Sequence, residues 1–284
     1  MTVISKEAMA STLNGASRAS LRAHADCLFE FLASKCSSDP TFGGGSDVVY
    51  DTAWAAMVDK PPGSGSWLFP ECFEYILQHQ LPSGAWESYI TVADGILNTA
   101  SSLLALKKHM RFSPGNEDWE QRSKRAEASL QKLLEVWDVA SADQVGVELL
   151  VLKHLSMLEN EGVKVCFPQN YLLQALYHKK MSKLPAETVH ERRSTLYHSL
   201  EAFIGHIDFD KTRQWCADDG SMLSSASSTS AYLMNSSVWD DKAEAFLRKS
   251  LNRNGNGKTG GLPSVWPSPV FDTTWVSNIK DTSD

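Results

Sequence analysis

Apolar residues recur at spacings of three and four along most of the chain, whereas the alternation typical of β-strands is scarce. Clear runs cover residues 21–32, 96–109, 126–137 and 147–158. Turn residues such as Gly162 follow several of them at short distances. The pattern predicts an all-α protein built from amphipathic helices, with antiparallel helical pairs joined by short turns.

Three residues are candidate starts of further helices. Pro70 precedes an apolar helical stripe, and proline is tolerated in the first turn of a helix. Asp51 precedes an apolar run and is a candidate N-cap, because its carboxylate can accept from orphan backbone N–H groups. Pro168 is expected to open another helix. A polar run that begins at Ser225 also suits a helix start.

The string YILQHQLPSGAW, residues 75–86, ends a predicted helix with Gln80, a Pro-Ser-Gly turn and Trp86. A glutamine at a helix end can satisfy orphan backbone groups, and a tryptophan beyond the turn can pack over it. This combination predicts a connection between successive helical hairpins. Residues 214–222 and 246–261 carry a glycine in similar surroundings without the full set, which indicates a degenerate internal repeat.

Composition narrows the class of protein. The 284 residues are 42% hydrophobic and 21% charged, as expected of a globular protein, and the formal net charge of -7 argues against nucleic acid as the main partner. The five cysteines form no CxxC pair, which favours a reducing compartment. Neither a membrane-length apolar segment nor a secretory leader is evident, so we expect a cytoplasmic protein without a membrane span.

Two groups of carboxylates are candidate sites. Asp240, Asp241 and Glu244 share one face of a predicted helix and could bind magnesium with a diphosphate. Acidic residues in a first helical turn are also simply stabilising, and this is the interpretation that we favour. Asp208 and Asp210 form a second pair, for which a solvated position is the simpler expectation.

Two basic residues are candidates on other grounds. His198 is one of eight histidines, none of which has metal-ligand spacing; a single histidine in a helix is usually packed and hydrogen-bonded. Lys180 lies in a basic stretch that is typical of a solvated helix face. The glycine-rich run 252–261 is similar to a phosphate-binding loop, but its first required glycine is Asn252 and no strand precedes it, so we interpret it as a turn.

Seven strings in order between about residues 47 and 276 resemble class II diterpene cyclases, most closely the fungal copalyl diphosphate synthase and ent-kaurene synthase types. They are VYDTAWAAMV, WLFPECFEYILQHQLPSGAWES, GILNTASSLLAL, VGVELL, LYHSLEAFIGHIDFDK, DDGSMLSSASSTSAYLM and WDDKAEAFLR. The string that contains Gln80 and Trp86 resembles the QW motif of this family.

The resemblance implies two α/α barrels, called β and γ, with γ inserted after the first helix of β. Residues 1–17 would be a disordered tail, 18–62 the first β-domain helix region and linker, 63–262 the γ-domain barrel, and 263–284 the start of a truncated β domain. The expected fold is therefore all-α, an α/α barrel with an incomplete second barrel.

The resemblance also implies an activity, the protonation-initiated cyclisation of geranylgeranyl diphosphate to copalyl diphosphate with Mg²⁺. The family's general acid is the middle aspartate of a DxDD motif, and this sequence contains no DxDD. General acid catalysis alone contributes about 10²–10⁴-fold to a rate. We therefore expect a chain truncated before the motif and catalytically incomplete by itself.

Two site residues follow from matching positions. Lys180 falls where plant-like members have a lysine that binds the diphosphate. His198 matches the histidine that forms part of the terminal base in plant copalyl diphosphate synthases. Its partner there is an asparagine, whereas Ser264 occupies the corresponding position here. This departure leaves His198 as either a base or a residue of the cavity wall.

Two other functions are compatible with the sequence. The chain could be a non-catalytic module that complements a separate β-domain partner or holds a prenyl diphosphate. An unrelated α/α-barrel glycosidase would need two facing carboxylates, and no convincing pair is present. An incomplete β barrel should expose apolar residues of the 21–32 helix, together with Phe271 and Trp275, and so favour association.

Overall fold

The computed structural model describes residues 18–38, 45–86, 88, 90–142, 144–253 and 259–268. Within these ranges the chain is helical, and β-structure is limited to isolated bridges. The predicted all-α class is confirmed. Residues 45–266 form one compact unit, and the first helix, α1 (Arg18–Ser38), belongs to another.

The compact unit follows a regular succession of helices, some short segments of which are 3₁₀. In chain order they are α2 (Val49–Ala56), α3 (Pro70–Gln78), α4 (Val92–Phe112), α5 (Glu117–Val136), a 3₁₀ turn (Val139–Ser141), α6 (Val147–Asn160), α7 (Asn170–Met181), α8 (Ala186–Glu191), the 3₁₀ segments Thr195–Phe203 and Phe209–Trp215, α9 (Ala226–Asn235) and α10 (Asp241–Leu251).

Alternate elements form a closed inner ring. Helix α2 packs against α4, α4 against α6, α6 against the segment Thr195–Phe203, that segment against α9, and α9 against α2 again. The inner helix α9 is enclosed on all sides: every residue from Ala226 to Leu233 is buried. Helices α3, α5, α7 and α10 each cover one inner helix from outside and are more polar on their free faces.

The ring closes between the two ends of the compact unit. The Val48 backbone N–H donates to the Leu262 carbonyl at 2.8 Å, and Leu262 N–H donates to the Thr52 hydroxyl at 2.9 Å. Beside them, the Arg253 guanidinium pairs with Asp47. The first inner helix is therefore fixed by residues more than two hundred positions later in the chain.

Three glycines let the chain pass close to a neighbouring helix. Gly84, Gly220 and Gly260 have φ of 95°, 92° and 74°, a region that side chains disfavour. A methyl group on any of them would overlap backbone atoms of α5, of α10 or of α3, respectively. The three turns correspond to the three copies that the sequence predicted.

The same turns share a second contact, with a buried threonine of an inner helix. Two residues after each glycine, a backbone N–H donates to a threonine hydroxyl. The three pairs are Trp86 with Thr99 at 3.1 Å, Met222 with Thr229 at 3.0 Å and Leu262 with Thr52 at 2.9 Å. Each copy of the repeat thus has two parts. A glycine lies against the backbone of an outer helix, and the residue two positions later donates its N–H to a threonine hydroxyl of an inner helix.

Gln80 and Trp86 connect helices as the sequence predicted. The Gln80 amide donates to the Gly84 carbonyl at 2.9 Å and to the Arg122 carbonyl at 3.1 Å, which ties the turn to α5. The Trp86 indole N–H donates to the Ile76 carbonyl at 2.7 Å and so satisfies the end of α3.

Some predicted helix starts are correct and others are not. Pro70 begins α3, and Ser225 is the N-cap of α9, accepting from Ser228 N–H. Asp51 is not an N-cap: α2 begins at Val49, so Asp51 lies within its first turn, and its carboxylate accepts from Ser227 N–H of α9 instead. Helix α7 begins two residues after Pro168.

Candidate functional site

His198 lies in the 3₁₀ segment Thr195–Phe203, directly before a kink at Ser199, where φ is -142° and ψ is 43°. The side chain is half-buried, and Nδ1 lies 3.3 Å from the Leu223 carbonyl oxygen. Because a carbonyl only accepts, Nδ1 carries the proton in this contact. In the neutral ring Nε2 is then left as an acceptor with a lone pair.

The turn that binds the His198 ring has an unusual backbone. Leu223 and Ser224 both have positive φ, 49° and 57°. The Ser224 carbonyl in turn accepts from Trp266 N–H at 3.0 Å, so the segment that carries exposed Ser264 runs beside the same turn. This hydrogen bond joins the turn that binds His198 to the segment that carries Ser264, while a joint role for the two residues stays a prediction.

Beneath this turn lies a buried group of polar side chains, which we call the acid cluster: Tyr50, Asp51, Glu201, Ser227 and Ser228. Asp51 is 4% exposed and Glu201 is 1% exposed. The Glu201 carboxylate accepts from the Tyr50 hydroxyl at 3.0 Å and from the Ser228 hydroxyl at 2.9 Å. The Asp51 carboxylate accepts from Ser227 N–H at 2.9 Å. The cluster joins α2, the His198 segment and α9.

Burial raises the free-energy cost of the charged form of both carboxyls in the acid cluster. Burial raises the pKa of Asp51 to about 7, an effect that nearby Glu201 reinforces and the hydrogen bond from Ser227 opposes. Burial also raises the pKa of Glu201. Within the described part of the chain neither carboxyl forms an ion pair, so no cation offsets the cost of two buried negative charges.

Lys180 lies in the last turn of α7, where its ammonium group pairs with the Glu148 carboxylate at 2.7 Å. Glu148 belongs to the first turn of α6. Both side chains border an open pocket of about 330 Å³ with an apolar wall. The wall includes Trp137, Val139, Val147, Leu173 and Leu176. A cation, a carboxylate and an apolar cleft thus lie side by side.

His198 and the Glu148–Lys180 pair belong to neighbouring elements of the inner ring. His198 lies in the segment Thr195–Phe203, which packs against α6, and Glu148 belongs to the first turn of α6. We call His198, Leu223 and the acid cluster together the His198 corner. The pocket bordered by Lys180 and Glu148 is called the Lys180 corner.

The other candidate carboxylates have structural roles. Asp208 caps the segment Phe209–Trp215, and Asp210 accepts from Ser237 N–H at 2.8 Å. Asp240 is the N-cap of α10, while Asp241 and Glu244 both pair with Lys60. Among the described residues there is no group of three or more histidine, cysteine or acidic side chains that could hold a metal ion.

Sequence reasoning missed Glu201 and misread Asp51. A signal for Asp51 was present, because it is the one charged residue in an otherwise apolar helix of residues 49–56. Such a side chain is either exposed or engaged in buried hydrogen bonds. Its partner Ser227 lies 176 positions away and was not visible in the local pattern.

Comparison with known proteins places these features in context. No protein-family model matches the chain. It is 44% identical over 246 residues to pimaradiene synthase from Emericella nidulans, which covers 84% of the chain and 25% of that protein. It is 40% identical over 262 residues to copalyl diphosphate synthase from Talaromyces verruculosus, covering 90% of the chain and 27% of that protein. The chain therefore spans about a quarter of the length of these relatives.

Solved structures with the same fold agree. Abietadiene synthase from Abies grandis superposes with a TM-score of 0.70 at 24% identity, over 91% of this chain and 35% of that one. For ent-copalyl diphosphate synthase from Arabidopsis thaliana the TM-score is 0.65 at 23% identity, over 90% and 37% of the two chains. The described part of the chain contains no helix with the length and apolar character needed to span a membrane. By sequence and fold together, the chain belongs to the class II diterpene cyclase family.

Proposed function

We propose that the chain supplies the γ-domain part of a class II cyclase that converts geranylgeranyl diphosphate to copalyl diphosphate by protonation. The observation that carries the proposal is that His198 and the Glu148 partner of Lys180 lie on two inner elements that pack against each other. A proton acceptor and a cation that can bind an anion are groups that a cyclisation of a diphosphate substrate ending in proton loss requires.

Lys180 is assigned to the diphosphate. Its ammonium group now pairs with Glu148 at the mouth of an apolar pocket, and a diphosphate oxygen can replace that carboxylate as the partner. The pair is partly exposed, so exchanging it costs little. The apolar wall formed by Trp137 and Leu173 suits the hydrocarbon next to the charged head group.

His198 is assigned to the acceptance of a proton at Nε2. The contact with the Leu223 carbonyl holds the proton on Nδ1 and so leaves Nε2 as the base. Ser264 offers a hydroxyl where an amide is expected, and we therefore give the role to His198 alone. The initiating acid would have to come from outside this sequence, because the sequence contains no DxDD motif.

Magnesium is implied for the complete enzyme. Mg²⁺ is commonly held by one or two carboxylates together with substrate phosphates. In the pocket, Glu148 is the carboxylate that could face such an ion next to a bound diphosphate. The ion would neutralise part of the charge on the diphosphate, and Lys180 would neutralise another part.

Association through helix α1 is a further part of the proposal. Leu21, Leu28 and Phe31 are 41%, 61% and 50% exposed on this helix. Apolar residues exposed together favour contact with another surface, which supports a complementing β-domain partner. Phe271 and Trp275, which were predicted to contribute, lie outside the described residues.

Titration of the purified chain with geranylgeranyl diphosphate tests the binding role. Lys180→Met should weaken binding roughly tenfold or more, because a charge-assisted hydrogen bond contributes about 1.5–3 kcal/mol. Lys179→Met is the matched control, since it removes a neighbouring exposed lysine of the same helix. Glu148→Gln should strengthen binding in the absence of Mg²⁺ and reduce the gain from adding it. Equal affinities for the wild type, Lys180→Met and Lys179→Met would refute the assignment.

Incubation of the same chain with substrate and Mg²⁺ tests its incompleteness. We expect no copalyl diphosphate, and product at a substantial turnover would show that the initiating acid lies within this sequence after all.

A further inference from the structure

We propose that Glu201 is a positioning residue for His198: it fixes both the backbone that carries the imidazole and the turn that binds it. The catalytic value of this arrangement rests on the proposed function, whereas the positioning itself is a property of the chain. Three sets of contacts carry the inference.

The first set holds the backbone after His198. The kink at Ser199 interrupts the helical hydrogen bonds of the segment. Directly beyond it, Leu200 N–H donates to the Ser228 hydroxyl at 2.9 Å instead of to its own segment. The Ser228 hydroxyl donates onward to Glu201 at 2.9 Å. Glu201 thereby orients the serine that accepts from the backbone two residues after His198.

The second set holds the partner of the imidazole. Leu223, whose carbonyl binds Nδ1, lies two residues before Ser225. The Ser225 hydroxyl accepts from Ser228 N–H at 3.2 Å and lies 3.0 Å from the Ser227 hydroxyl. Ser228 therefore contacts two parts of the surroundings of His198. Its hydroxyl binds the backbone after His198, and its backbone N–H binds Ser225 next to the turn that contacts the imidazole.

The third set explains why a glutamate stands at this position. One oxygen of Glu201 accepts from Ser228, and the other accepts from Tyr50 of α2. A buried carboxyl is costly unless it is hydrogen-bonded, so two hydroxyl donors are needed to keep it there. A glutamine has a single acceptor oxygen, so only one of the two hydroxyls could still donate to the side chain, and the other would have to turn and accept from the amide N–H.

The experiment follows the imidazole directly. Two-bond ¹⁵N–¹H spectra of the ¹⁵N-labelled chain distinguish a ring protonated on Nδ1 from one protonated on Nε2, and His198→Gln assigns the signals among the eight histidines. Above neutral pH, we expect the wild-type His198 to show the Nδ1–H form. Glu201→Gln and the milder Tyr50→Phe should both lose that form in favour of a mixture.

Tyr232→Phe is the matched control. It removes the 3.0 Å hydrogen bond from the Tyr232 hydroxyl to Asp240, which has the same length as the bond from Tyr50 to Glu201 but lies elsewhere in the helical ring. It should leave the His198 signals unchanged even where it lowers stability. An unchanged His198 spectrum in Tyr50→Phe, or the same change in Tyr232→Phe, would overturn the proposal. These outcomes are independent of substrate binding, so a failure of the proposed function would be recognised separately.

Discussion

The His198 corner and the Lys180 corner belong to neighbouring elements of the helical ring but are held in different ways. At the first, the imidazole has a 3.3 Å contact with the Leu223 carbonyl, and shorter buried hydrogen bonds among Glu201, Ser228 and Leu200 N–H hold the backbone next to it. At the second, one partly exposed ion pair borders an open pocket. A base needs a fixed direction toward one atom, whereas a cation that receives a diphosphate can move with it. The difference in rigidity therefore suits the two proposed roles.

The largest contrast is expected from removing the central carboxylate of each corner. Glu201→Ala should lower the free energy of unfolding by about 2–6 kcal/mol, since two buried hydroxyls lose their acceptor at about 1–3 kcal/mol each. Glu148→Ala should lower it by about 1 kcal/mol or less, because its ion pair is partly exposed. Denaturant titration of both variants measures the contrast. Similar losses would show that the corners are held alike.

A pH series sharpens the account of the rigid corner. In the folded chain Asp51 keeps a proton that the unfolded chain releases above its ordinary pKa of 3.8. The contribution of the protonated Asp51 to the stability of the fold is complete below about pH 4 and is lost as the pH rises toward about 7. Asp51→Asn cannot lose a proton and retains an acceptor for Ser227. The free energy of unfolding of the Asp51→Asn variant, relative to that of the wild type, should therefore rise by about 1.4 kcal/mol per pH unit between about pH 4 and pH 7.

Tyr50 and Glu201 interact electrostatically with Asp51, and His154 packs against Tyr50. All three are present in both proteins, so the part of their titration that does not depend on Asp51 cancels in the difference. A difference between Asp51→Asn and wild type that stays constant from pH 4 to pH 7 would contradict the raised pKa.

The smallest contrast comes from one glycine at each corner. Gly220, before the turn that binds His198, and Gly146, before α6, both have positive φ, so alanine strains either position. Only at Gly220 would the added methyl group also overlap a backbone carbonyl, that of Lys242. Gly220→Ala should therefore cost about 1–3 kcal/mol more than Gly146→Ala. Thermal unfolding of the pair measures this, and equal melting temperatures would count against it.

Much of the fold could be predicted because it depends on local periodicity. The helical spacing indicated the all-α class, and Pro70 and Ser225 begin helices as expected. The internal repeat was underestimated, because it was sought in glutamine and tryptophan. The parts that the three turns share are a close glycine and a threonine acceptor on the next inner helix, as for Gly220 with Thr229.

The candidate site was less accessible to sequence reasoning. His198 and Lys180 came from a family resemblance, and their roles stay predictions. Asp51 was misread and Glu201 overlooked, because the partners that define them lie on distant segments: Tyr50 and Glu201 are 151 positions apart. Buried polar contacts between remote residues have no local signature, unlike the face of an amphipathic helix.

Ring closure between Val48 and Leu262 also sets an order of events during synthesis. Helix α2 emerges from the ribosome early, but the residues that complete its surroundings on the α9 side come about 210 positions later. At about 5–20 residues per second, that delay is on the order of 10–40 s. For that time the apolar face around Trp54 has no native partner on one side, which makes the nascent chain most vulnerable to misassembly before the segment that contains Leu262 is made.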